Sequence, residues 1–405
     1  MAMAQPETVT LTSYADCLEA YRNRDLKQAL YDEGGVIMDD VLVTLHGTEH
    51  RDRRRLENRL FRRQIVLEQE NDTFPPIVAS TLAPYVAAGE VDLVPLGHQL
   101  LLNLSAPTAG LDRPLGTPEE TAHLYRYLMT FIEGATLAHS TRDHDEVRHE
   151  VRDAIEEFRD EFFGPALRRR RDLITAVEAG ELDAEALPRD ILTVLLSNTD
   201  RLDLPDDVIL REIAFYLLAG AHTSATAFTR TLDAVFTWLA DHPGDDLRLG
   251  DDRLAIQRFV HETVRLNPSS PVGMRTALAP VSLSSGIEIP LGALVVFDLM
   301  AANRDISVFG PDAAEFVPGR VLPDGVGPYG LSFGSGMHAC IGQELAAGVL
   351  TVEDVARDDH IHGLVSVAVQ ALLERGARPD PSHPPVIDTA TRRPYWSSYR
   401  VTLSR

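Results

Sequence analysis

Residues 333–342 read FGSGMHACIG and place Cys340, one of only two cysteines in 405 residues, among three glycines, a histidine and a phenylalanine. A cysteine that holds a metal does so as a thiolate, and a thiolate needs positive charge or N–H donors beside it. Gly334, Gly336 and Gly342 leave the backbone free to curl round the sulfur and to approach a flat ligand closely. Their N–H groups can then point at the sulfur and tune a metal's potential. Phe333 is placed to shield the sulfur from water, and His338 to reach an anionic group next to it. IGQELAAGVL follows as a good helix former, so its positive end faces the thiolate as well. Taken alone, the stretch also fits an inert buried thiol in a glycine-rich loop.

Other residues fall at spacings that carry chemistry. In HETVRLNP, Glu262 and Arg265 stand three apart and share one helical face, where they can pair. His50 and Arg54 lie one helical turn apart, at the start of HRDRRRLENRLFRR, which holds seven arginines against one Asp and one Glu. Such a stripe on an acidic chain suggests an acidic partner or a bound anion, the alternative being a solvated helix face. In AFYLLAGAHTSATAF, residues 214–228, Gly220 sits in mid-helix, where it costs about 1 kcal/mol relative to Ala. DDHIH (358–362) looks like a set of metal ligands but reads better as a polar insertion, and RRRR (168–171) as a solvated helix end.

The order F-x-x-G-x-H-x-C-x-G resembles the haem-thiolate signature of the cytochrome P-450 family, matched at Phe333, Gly336, His338, Cys340 and Gly342. The resemblance makes Cys340 the axial ligand of a haem iron (heme b). It makes Glu262 and Arg265 the buried E-x-x-R brace of the haem-side core. Asn303, Arg304, Asp305, Phe309, Phe316 and Arg320 also fall in matching places. Arg275, with His50 and Arg54 on their helix, is similar to the family's contacts to the haem propionates. The remaining arginines, Arg51, Arg53, Arg55, Arg59, Arg62 and Arg63, would flank the thiolate-side face. An acidic ferredoxin docks there in family members, steered by charge and weakened by salt.

Residues 214–228 resemble the long helix on the oxygen-binding side. In the family a small pair, here Ala219 and Gly220, lets that helix bulge to admit oxygen and water. Thr223 matches the threonine whose hydroxyl helps deliver protons to O2. His222 stands where the family has Asp or Glu; it either relays protons near neutral pH or points away and bonds structurally. The resemblance assigns Phe215, Leu218, Ala219, Pro271, Val272 and Met274 to the substrate pocket. These are apolar residues that suit a terpenoid, steroid, polyketide or aromatic molecule. No Walker loop or dinucleotide fingerprint is present, so NAD(P)H electrons are expected through ferredoxin and ferredoxin reductase. The implied reaction inserts one oxygen atom from O2 into a C–H or C=C bond. Three other readings stay open: peroxide-driven oxygenation, which Thr223 disfavours; rearrangement or nitric oxide reduction, which the missing acid keeps alive; and a non-catalytic haem-binding sensor.

The elements that must position these residues are mostly helices. TSYADCLEAYRNRDLKQALYD (12–32), EHRDRRRLENRLFRRQIVLEQE (49–70) and residues 118–140, 145–180, 205–240 and 251–266 read as helical. Strand character is concentrated in VSLSSGIEIPLGALVVFDLM, which reads as a hairpin, and in the C-terminal YWSSYRVTLS. The expectation is a mainly α chain with a smaller β portion, a single domain over 1–405 with the P-450 fold. Hydrophobic content of 44% and charged content of 24% suit a sizeable core. A net charge of −23 argues against nucleic acid or an anionic membrane as partner. No apolar run approaches a span and MAMAQPETVT has no signal-peptide pattern, so a cytoplasmic monomer is expected. Two departures from the family stand out. Only 49 residues precede His50, so the first helix and first strand are expected to be absent. The segment that normally roofs the pocket is also short, leaving it open or roofed by something else. An insertion is expected near 351–363.

Overall fold

The computed structural model of the chain describes residues 7–245, 249, 251–350 and 359–404. Helices make up most of it, and the strands gather at its edges. Near the N-terminus, β1 (Thr8–Leu11) leads into α1 (Tyr14–Arg22), whose first turn is capped by Ser13 accepting from the Asp16 N–H. The helix expected over 12–32 stops at Arg22, and Leu26–Gln28 forms strand β2 instead. Its partner is β3 (Val272–Ala277), which also pairs antiparallel with β4 (Leu294–Asp298); β1 closes the sheet parallel to β4. Local propensity favoured helix at 26–28, but hydrogen bonds to a strand far along the chain outweigh it.

Helix α2 (Gly47–Glu57) carries the basic stripe. Helix α3 (Leu93–Ala109) begins at Asp92, whose carboxylate accepts from the Val94 N–H. Helix α4 (Pro118–Ala135) has Thr117 as cap and proline in its first turn, where a missing N–H costs nothing. Helix α5 (His144–Phe158) passes through a widened turn, Arg159–Phe163, into α6 (Gly164–Glu178), so the helix expected over 145–180 is interrupted midway. The four arginines at 168–171 are not simply solvated: Arg170 is buried and pairs with Asp190 at 2.8 Å and Asp112 at 2.7 Å.

Helix α7 (Asp206–Asp241) runs through the core, with α3 antiparallel along it. Helix α8 (Arg253–Leu266) follows. After Cys340 comes α9 (Gln343–Ala347), and α10 (Leu364–Leu373) is the next helix among the described residues. Between them the chain makes an excursion whose two ends meet. Val349 N–H donates to Ile361 O at 2.9 Å, and a β-carbon on Gly363 would lie 2.5 Å from Gly348 N. The expected insertion at 351–363 lies partly outside the described residues. The short segment before His50 is itself packed. Its helical turn Gly35–Met38 packs on α4 and α5, with Ile37 and Met38 fully buried. A second, smaller core lies under the β1–β4 sheet and includes Cys17, Leu11, Val295 and Phe297. Among the described residues no helix is long and apolar enough to cross a membrane.

Candidate active site

Cys340 is fixed by its backbone while its side chain is open. Its N–H donates to Phe333 O at 2.8 Å, and Gly334 N–H to Leu331 O at 2.8 Å. Enclosure by protein pushes the thiol's pKa up; the Gly342 N–H aimed at the sulfur and the Arg54 charge pull it back. Gly336 has φ +70°, and a β-carbon there would stand 2.5 Å from Tyr21 O, so only glycine fits. Gly342 differs: its φ is −94° and its nearest neighbour for a β-carbon is 3.8 Å away. The helix behind the sulfur spans only the five residues of α9, so its dipole contributes little. Phe333 packs edge-on to Tyr329 at 5.0 Å. Cys17, buried in the other core, is free, as is Cys340.

Around this loop stand polar atoms without partners. His50 is 2% exposed, and neither of its ring nitrogens has a hydrogen bond. The same holds for His338 Nε2, whose ring centroid lies 4.3 Å from that of His50. Burial and, next, the Arg54 charge push His50 down to about 4. Burial and, next, His50 push His338 down to about 3. With no anion beside them, both imidazoles are therefore neutral near pH 7. The permanent charges are Arg54, which donates to Ala339 O at 2.6 Å, and Arg275. Arg275 is buried, with Cζ 5.3 Å from the Tyr21 ring centroid and a guanidinium hydrogen bond to Gln28. An open thiol, two arginines and orphaned imidazole nitrogens are what a haem with two propionates would satisfy. The residues present fit that group.

In α7, Thr223 and Gly220 are exposed positions in an otherwise mostly buried stretch. Thr223 Oγ1 donates to Ala219 O at 2.9 Å, and Thr223 O accepts from Ser269 Oγ at 3.0 Å. The helix runs unbroken from Asp206 to Asp241, so the expected bulge at Ala219–Gly220 is not seen. His222 is turned from the threonine. It is buried, its Nδ1 lies 3.4 Å from His98 Nε2, and its ring stands edge-on to Tyr395 at 5.6 Å. Burial above all, then Arg393 and His98, hold it well below the usual range, so the imidazole is neutral at pH 7. Of the pocket candidates, Phe215, Ala219, Pro271, Val272 and Met274 are half-buried, whereas Leu218 belongs to the main core.

Glu262 and Arg265 meet in α8 as a fork, at 2.6 Å and 2.7 Å. Arg265 is wholly buried and also donates to the carbonyls of Asn303 and Ala313. Arg320 joins Glu262 at 3.4 Å. The brace thus ties α8 to the segments leading to the Cys340 loop.

The basic stripe divides. Arg51, Arg55, Arg62 and Arg63 are exposed, with Arg63 on Asp359 at 3.1 Å; Arg59 is half-buried against Asn198. Arg53 is no surface residue. It is 5% exposed and pairs at 2.7 Å with Glu212 of α7, so it cannot face a partner. Next to it Glu57 is fully buried and accepts from Tyr216 OH at 2.7 Å. Burial and the Glu212 charge hold Glu57 well above the carboxylate range, against Tyr216, Arg53 and Arg54. In the DDHIH stretch, Asp358 lies outside the described residues, His360 bonds Gln257 at 2.9 Å, and His362 bonds Glu70.

Three residues at the site carried no sequence signal. Tyr31 is enclosed where the charges of Arg393, Arg275 and Cys340 reach its phenol. Ser269 links Thr223 to Tyr395, whose hydroxyl donates to Ser269 O.

The family model described as Cytochrome P450 matches residues 253–352, the stretch holding both Glu262–Arg265 and Cys340. Over 376 residues the chain is 25% identical to the cyclooctat-9-en-7-ol 5-monooxygenase of Streptomyces melanosporofaciens, covering 81% of this chain and 75% of that protein. It is 33% identical over 153 residues to a putative cytochrome P-450, number 123, of Mycobacterium bovis, and that stretch spans 36% of the relative's length. The crystal structure of HmtT, involved in himastatin biosynthesis, superposes with a TM-score of 0.72 at 21% identity, covering 97% of this chain and 91% of that one. The chain thus has the fold of the cytochrome P-450 structures, and the stretch that holds Glu262, Arg265 and Cys340 matches that family's model.

Proposed function

We propose that the chain is a haem-thiolate monooxygenase that inserts one oxygen atom from O2 into an apolar small molecule. The observation that carries this reading is the open Cys340 side chain among Arg54, Arg275 and the unpartnered His50 and His338. Bound there, haem would supply the oxygen-activating redox chemistry, with the thiolate favouring O–O cleavage. The chain's own residues do the rest. Cys340 is the ligand, kept in place by its N–H bond to Phe333 and tuned by the Gly342 N–H. Arg54 and Arg275, with the two imidazoles, hold the propionates. Thr223 keeps its hydroxyl hydrogen on Ala219 O, leaving its lone pairs free to accept from a proton donor on the open side. Half-buried Phe215, Val272 and Met274 offer apolar wall to a terpenoid, steroid, polyketide or aromatic substrate. Electrons reach the site from NAD(P)H through a ferredoxin and its reductase, docked on Arg51, Arg55, Arg62 and Arg63.

The orientation of His222 favours a second reading. With no acid beside Thr223, the same centre would rearrange a substrate or reduce nitric oxide without inserting oxygen. The carbon monoxide difference spectrum of the wild type and of Cys340→Ala tests the common core. A thiolate-type band that vanishes in the variant is expected; a band that persists would sink the assignment. Coupled consumption of O2 and reductant then separates the two readings.

A further inference from the structure

Beside α7, one turn on from Thr223, lies a solvent-open cavity of about 540 Å³, walled by α3, α4, α7 and the C-terminal stretch 388–397. Arg393 lines it while being only 6% exposed. Its Nη2 donates to Thr136 Oγ1 at 2.9 Å, its Nε to Thr391 Oγ1 at 3.4 Å, and its Cζ lies 4.6 Å from the Tyr395 ring centroid. Among the described residues no carboxylate comes within 4.0 Å of this guanidinium. Its titratable neighbours are the imidazoles of His139 and His222, which burial keeps neutral, and the phenols of Tyr31 and Tyr395.

The acids on the cavity wall are engaged elsewhere. Glu133 and Glu150 hold Arg142 at 2.9 Å and 2.6 Å. Asp92 accepts from Ser398 and from the Tyr399 N–H, and Asp388 from the Ala390 N–H. A second guanidinium, Arg230, lies with Cζ 5.3 Å from the Trp396 ring and 5.9 Å from the Tyr395 ring, its hydrogen bond going to a carbonyl, Pro394 O. A buried guanidinium is stable when an anion shares its site. Here two guanidiniums frame an aromatic platform on a cavity wall and no protein anion pairs with them.

We propose that this cavity binds the carboxylate of an amphipathic organic acid, seated on Arg393 with Arg230 beside it. The apolar body lies along Val94, Pro95, Met129, Ile132 and Ala225. Four acids and three arginines line the cavity, so its field disfavours a phosphate dianion more than a carboxylate monoanion.

Trp238 and Trp396 are the chain's two tryptophans, and only Trp396 lines the cavity. In a Trp238→Phe background, fluorescence therefore reports the cavity alone. Titration with decanoate is expected to give a saturable change, at least tenfold weaker with decanol and with decyl phosphate. Arg393→Gln is expected to weaken decanoate at least tenfold at an unchanged melting temperature, and Arg230→Gln to weaken it less. No saturable change with decanoate, equal affinity for decanol, tighter binding of decyl phosphate, or an unaltered midpoint in a folded Arg393→Gln protein would each overturn the proposal. The comparison of decanoate with decanol needs no arginine variant, so it stands even if Arg393→Gln fails to fold.

Discussion

A β-carbon on Gly220 would stand 2.5 Å from the hydroxyl oxygen of Ser105 and 3.3 Å from its β-carbon. The glycine three residues before Thr223 is thus where α7 is crossed closely by α3. Gly220→Ala should gain about 1 kcal/mol of helix propensity and lose about 1–3 kcal/mol to overpacking. Urea unfolding is expected to show a net loss, relieved when Ser105→Gly is combined with it. Additive effects of the two substitutions would show that the crossing has slack.

Glu57 is buried with no cation in salt-bridge contact, beside the Glu212–Arg53 pair. Its raised pKa means the folded state binds its proton more tightly than the unfolded chain does. Wild-type stability therefore falls as pH climbs above the usual Glu value, by up to about 1.4 kcal/mol per unit until Glu57 itself ionises. Glu57→Gln removes that dependence. The difference in unfolding free energy between variant and wild type should move in the variant's favour from pH 5 to pH 8. A constant difference would mean that Glu57 is ionised throughout.

Thr223 is exposed and His222, its neighbour in α7, is buried against His98, so their substitutions should separate. Under the proposed monooxygenation, Thr223→Ala should lower product formed per electron consumed several-fold. His222→Gln should leave that ratio within about twofold, since the imidazole is held neutral against His98. A several-fold loss of coupling in His222→Gln would restore it to the proton path.

Arg265 is wholly buried and spends its donors on Glu262 and on the carbonyls of Asn303, Ala313 and Glu315. Arg265→Met leaves Glu262 with Arg320 and the Val317 N–H and frees those carbonyls. A loss of about 3–5 kcal/mol is expected in chemical unfolding, and Arg265→Lys should recover only part of it because its single ammonium cannot match the fork.

What the sequence shows clearly is what depends on short spacing. The Cys340 loop, Glu262 with Arg265, and His50 with Arg54 are each set by a few consecutive residues, and the helices at 118–135 and 206–241 by long periodic stretches. What it hides depends on distant partners. Arg53 looked like its exposed neighbours until Glu212 came to meet it. His222 is oriented by His98 on another helix, and Leu26–Gln28 becomes a strand only because β3 lies beside it. Arg393 gave no signal because its peculiarity is a missing counter-ion, which only three dimensions disclose.

The meeting of Gly348 with Gly363 makes the chain between them topologically detachable. Both ends are pinned by the Val349–Ile361 bond and by Glu70, which accepts from the Gly363 N–H at 2.7 Å. Bringing two points of a chain together costs a loop-closure entropy that grows by only about 0.6 kcal/mol for each doubling of the residues between them. The Cys340 loop on one side and helix α10 on the other are thus fastened to each other at their near ends by these bonds.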